Sequence, residues 1–220
     1  MTQSVRFRSP KSRALPGLAA MLCAMVWLAA CVPTSVHPLR VEGQPVVDQE
    51  LLGTWRGEVG EQDSLLLFLN TRAENDTEGM TLLVATPVQP AAPPEGAEEA
   101  DDADAGWLYA LALSAQIGGH RFLSVDWRGD GGDAVEGTQR GWHLYRYELS
   151  PETGLAIYGL NEVELKAAVD RGEIEAVETG SGIGKEIRLT ASPADLAAWI
   201  AASDPLVLFT ETVAELTRLP

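Results

Sequence analysis

Three histidines, two cysteines and 32 Asp and Glu residues set the chemistry open to this 220-residue chain. A metal held by His120 and His143 needs carboxylates beside them, which Asp126 and Glu148 supply on paper. Ordinary hydrogen-bonded histidines on two separate strands account for the same residues. Thr179-Gly180-Ser181-Gly182-Ile183-Gly184-Lys185 has glycines suited to cradling phosphate. Thr179 replaces the first glycine, however, and Glu186 stands where a magnesium-binding hydroxyl belongs. A strand follows it, so no helix dipole faces a phosphate there, and a Gly-rich turn is the simpler reading. Asp126, Asp130 and Asp133 around Gly129, Gly131 and Gly132 offer oxygens to calcium, but not at EF-hand spacing. They read as a solvated turn, and the Arg128-Gly129-Asp130 tripeptide within it is too short to carry weight. No G-x-S-x-G and no S-x-x-K follows residue 31. Among 32 acids, glycosidase-like carboxylate pairs cannot be singled out. The sequence thus points to no catalytic residue, no cofactor and no metal.

Aromatic residues are the other candidate site. Trp107, Tyr109, Trp142, Tyr145, Tyr147 and Tyr158 fall on the middle strands expected below. Gathered on one cavity, they would bind an apolar or sugar ligand. Plain core packing is the simpler reading, because strands favour aromatic side chains.

The elements that must position these residues are mostly strands. Ser64 to Leu69 and Met80 to Ala85 are apolar runs too short for helices. Trp107 to Ala115 alternates, and Gly118-Gly119 joins it to His120–Trp127 as a tight hairpin, since both turn positions tolerate positive φ. Trp142 to Leu149, Leu155 to Leu160, Glu186 to Thr190 and Val213 to Leu219 follow as strands. Asn161 with Glu164 caps one short helix as in a capping box. Ser192 followed by Pro193 starts another. Eight or nine antiparallel strands with two accessory helices predict a mainly β domain, a small barrel or a strongly curved sandwich.

Composition divides the chain further. Residues 1–30 carry Arg6, Arg8, Lys11 and Arg13, no acid, and a thirteen-residue apolar run from Leu18 to Ala30. A spanning helix needs about 20 residues, so the run fits a secretory signal peptide. Residues 31–48 lack periodicity and read as a tether. Residues 49–220 read as one β-rich domain. Within it, residues 86–106 hold four prolines and six acids and predict a disordered loop. Without residues 1–30 the chain has 12 basic and 32 acidic side chains, a formal charge of −20. Such a surface repels nucleic acid and anionic lipid head groups.

Leu28-Ala29-Ala30-Cys31 closes the apolar run and resembles the lipobox of bacterial lipoproteins. The resemblance implies that residues 1–30 are removed and that the Cys31 thiol forms a thioether to diacylglycerol, an anchor in the membrane. Cys23 would be discarded, leaving no disulfide. Val32 rather than Asp after the cysteine implies the outer membrane, with the domain facing the periplasm.

Gly53-Thr54-Trp55 resembles the G-x-W motif that opens the lipocalin barrel. This implies that Trp55 plugs one barrel end, with Arg218, or less readily Arg188, stacked on it. The ordered set Leu51 to Trp55, Gly119 to Val125, His143 to Tyr147, Leu189-Thr190-Ala191 and Phe209-Thr210-Glu211 is similar to functionally uncharacterised bacterial lipoproteins. That likeness implies a shared fold and no known activity. The expectation is an exported, lipid-anchored, lipocalin-like envelope barrel, non-enzymatic, binding a small apolar ligand or serving as an envelope accessory. A structural or protein-interaction lipoprotein with a filled core is the alternative, its envelope partner unknown. An envelope hydrolase, marked by a cleft with a perturbed acid or histidine, is the third reading.

Overall fold

The computed structural model describes residues 33–72, 78–85, 107–128, 141–179 and 186–220, without the side chains of residues 71, 72, 78, 107 and 179. The expected signal peptide at 1–30, Cys31, the acidic stretch 86–106 expected to be a disordered loop, residues 129–133 and the Gly-rich stretch 180–185 lie outside this set.

The strands are β1 (Thr34–Ser35), β2 (Gly53–Val59), β3 (Gln62–Arg72), β4 (Glu78–Ala85), β5 (Trp107–Ile117) and β6 (His120–Arg128). They continue with β7 (Trp142–Ser150), β8 (Gly154–Leu160), β9 (Ala176–Thr179), β10 (Glu186–Leu189) and β11 (Phe209–Arg218). The helices are α1 (Glu162–Asp170), α2 (Pro193–Ala202) and a single turn, α3 (Pro205–Leu208). The caps are local: Asn161 accepts from the amides of Val163 and Glu164, and Ser192 from that of Asp195. These caps satisfy amides that the first helical turn leaves without partners.

Eight strands close in the order β2-β3-β4-β5-β6-β7-β8-β11, every neighbouring pair antiparallel. The small antiparallel barrel expected from the sequence is therefore present. Closure leaves the barrel no free edge. Near its start, β7 also pairs with β1, which runs parallel to β10, and β10 pairs with β9. This three-stranded flap stands on the barrel flank beside β8.

Register divides the strands into two faces. One face points inward and holds Trp55, Leu66, Phe68, Leu82, Val125 and Leu155 among its buried apolar residues. Short side chains at Ala110, Ala112 and Ala214 leave room for the long ones. The outward face of β5 to β8 builds a second core. There Phe122, Leu144 and Leu160 meet Leu165 of α1, Trp199 of α2 and Ile187 of β10.

Residues 33–48 do not form the expected tether. Thr34 and Ser35 are buried in paired β1, Leu39 is buried, and the Leu39 amide donates to Ser124 Oγ at 2.9 Å. Val32–Pro220 forms one compact unit. The segment lacks periodicity because it crosses the barrel as a strap, and its buried positions answer to separate neighbours.

Candidate functional site

The strap runs through residues 36–52 and closes the barrel end at which β2 begins and β11 finishes. Trp55 is buried there and donates its Nε1 hydrogen to the Leu51 carbonyl at 2.8 Å. Arg218, its cross-strand partner, lies with Cζ 5.3 Å from the ring centroid and donates to the Leu52 carbonyl. A cation on an indole face contributes about 0.5–1 kcal/mol at an exposed site. Gly53 makes the arrangement fit: its φ is +129°, and a Cβ there would sit 3.2 Å from Arg218 Nη2. Arg188, the other candidate for this role, lies on β10 in the flap.

A clasp holds the strap on the same end. Tyr147 points inward from β7 and donates to Asp48 Oδ2 at 2.7 Å. Arg121 of β6, opposite Tyr147 in register, donates to the same oxygen at 3.1 Å and also to Glu50. Gln44 extends the seam by exchanging two hydrogen bonds with the Gln116 backbone, at 3.0 and 2.9 Å. Burial, reinforced by Asp48, pushes the Tyr147 phenol far above its ordinary range. General acid–base work favours a group that titrates near the working pH. Tyr147 stays protonated and fastens the strap.

Behind the clasp the strapped half of the interior is occupied. Leu51, Met80, Ala110, Ala112 and Leu155 have no accessible surface, and Phe68 and Val125 have almost none.

The aromatic candidates divide between faces. Tyr145 and Tyr147 point inward. Trp142 and Tyr158 pack on the outer core. Tyr109 points outward beside Leu83 of β4, and Trp107 begins β5. Arg146, outward on β7 and buried, lies with Cζ 4.3 Å from the Tyr158 ring centroid and pairs with Glu148. Its Nε has no partner. The spacing hinted at this site: Arg146 shares a strand face with apolar Leu144. Asp48 carried no such signal, because its partner Tyr147 is 99 residues away.

His120 and His143 lie far apart. His120 opens β6 at the strapped end, whereas His143 pairs with Val125, five residues further along that strand. Among the described residues no group of three or more His, Cys, Asp and Glu could hold a metal. Burial lowers the His143 pKa against the opposing pull of Glu186 and Asp126. Its ring stacks on Tyr145 at 6.5 Å, and its Nδ1 is buried without a hydrogen bond.

The outward face of β3 to β5 completes the inventory. Leu67, Leu83 and Tyr109 form one cross-strand row, with Leu65 and Ala85 below and Leu69 above. All six are uncharged, and Leu69 keeps 40% of its surface exposed. An Arg56–Asp63 ion pair at 2.8 Å rims the face. No family model, no curated protein and no solved structure matches this chain.

Proposed function

We propose that this is an exported envelope lipoprotein, held by Cys31 at the outer membrane and facing the periplasm. It acts without catalysis as a filled barrel scaffold, and a protein partner engages its outer surface. One observation carries the choice of scaffold over carrier: inward side chains and the strap fill the strapped half of the interior. The lipobox-like Leu28-Ala29-Ala30-Cys31 supports the anchor. The uncharged apolar face of β3 to β5, on a chain of strong negative charge, supports a surface role.

Native mass spectrometry tests scaffold against carrier. Val32–Pro220, purified from periplasm without detergent, should show the bare polypeptide mass. Additional mass that extracts into organic solvent would overturn the scaffold reading in favour of a ligand-carrying barrel.

A further inference from the structure

Only Val32 and Pro33 separate Cys31 from β1. Thr34 is already paired on both sides, with His143 of β7 and Arg188 of β10, and donates to Glu186 Oε1 at 3.0 Å. Three Cα-to-Cα steps reach at most about 11 Å. A domain of about 190 residues is about 40 Å across. A lipid on Cys31 therefore has little slack, and the part of the domain nearest β1 must lie at the head groups.

We propose that the outer face of the β1-β10-β9 flap rests on a lipid surface and fixes the orientation of the barrel. This rests on the lipid-anchor reading above. Thr34, Arg188 and Val177 form one cross-strand row. The next row, Ser35, Leu189 and Ala176, turns the other way into the outer core, so the first row points away from that core, with Thr34 itself covered by Gly141 and Val177 the exposed member. Val177 keeps 46% of its surface exposed, and Val36, just past β1, keeps 38%. Val36 stands five residues from Cys31, and Val177 lies two strands across the flap from Thr34. The acidic charge of the domain selects the lipid: anionic head groups repel it, and a zwitterionic surface does not. In the ring order β4 stands four places from β8 in either direction. The flap stands beside β8, so the apolar face of β3 to β5 points away from the lipid, where a protein partner has access.

The test uses the lipidated chain in phosphatidylcholine vesicles that contain a head-group nitroxide quencher. Cys31 is consumed by the thioether and Cys23 leaves with residues 1–30, so an introduced cysteine is the one reactive thiol. Fluorophores are placed at Val177→Cys, at Val36→Cys and, on the far wall, at Leu69→Cys. The two flap positions should be quenched at least about threefold more than Leu69→Cys, because contact quenching fails across about 40 Å of protein. Equal quenching at all three sites, with acyl mass present on Cys31, overturns the orientation and leaves the anchor standing. Absence of acyl mass on Cys31 overturns both.

Discussion

Tyr147 and Trp55 each carry one polar hydrogen into an apolar interior, and the strap accepts both, through Asp48 and the Leu51 carbonyl. A buried donor left without an acceptor costs about 1–3 kcal/mol, so strap and barrel depend on each other atom by atom. His143 is the counter-example, with Nδ1 buried and unpaired. Burial disfavours its charged form, so its pKa in the folded protein lies below the 6.5 of an exposed histidine. The unfolded chain then binds more protons than the native one. The stabilisation is complete above pH 6.5 and is lost as pH falls through the folded value. The urea midpoint should therefore drop between pH 7.5 and pH 5.5, and His143→Gln should remove much of that drop. An imidazole C2 proton of His143 that titrates at or above 6.5 by NMR would contradict this.

The strap is also where the element scale matters most. Its segment looks like a tether because Pro, Val and Gly residues alternate with no fixed period, and a period is what identifies an element in sequence. Strands were legible for the opposite reason: Trp107 to Ala115 alternates, and the Gly118-Gly119 turn, with φ of 57° and 84°, joins β5 to β6. Which face turns inward was not legible on β3 and β4, because Leu65, Leu66, Leu67 and Phe68 are apolar without a break. Asp204-Pro205 repeats the Ser192-Pro193 start signal, yet α3 has only four residues and no room for a period. The contact of Arg218 with Trp55 was legible only through the resemblance of Gly53-Thr54-Trp55 to the G-x-W motif, whereas the clasp needed the fold. If residues 33–48 were a tether, a chain starting at Gln49 would melt with Val32–Pro220. Instead it should lose most of its stability, since it lacks β1, Leu39 and Asp48. Leu39→Ala alone should cost about 2–5 kcal/mol in urea unfolding, while Arg40→Ala, on the exposed side, should be near neutral. Equal melting of the truncated and longer chains would restore the tether.

At the scale of the whole molecule, charge sets the response to salt, and two opposing effects must be weighed. Ion pairs such as Arg56–Asp63 at 2.8 Å and Lys166–Asp170 at 3.0 Å are exposed, and such pairs contribute about 0.2–1 kcal/mol each. Against them stands the repulsion within Val32–Pro220, whose acids outnumber its bases by 32 to 12. The Debye length is about 8 Å at 0.15 M salt. Partners 3 Å apart still feel each other there, while like charges spread over a domain about 40 Å wide do not. Salt thus removes the repulsion before it removes the pairs. The urea midpoint of Val32–Pro220 should rise between 10 mM and 500 mM sodium chloride, by an amount on the order of 1 kcal/mol. The slope of the transition should stay constant, since salt leaves the buried area unchanged. Urea is required, because guanidinium chloride would itself screen the charges. A midpoint that falls with salt would mean that the pairs outweigh the repulsion and that the excess acids lie far enough apart to coexist without cost.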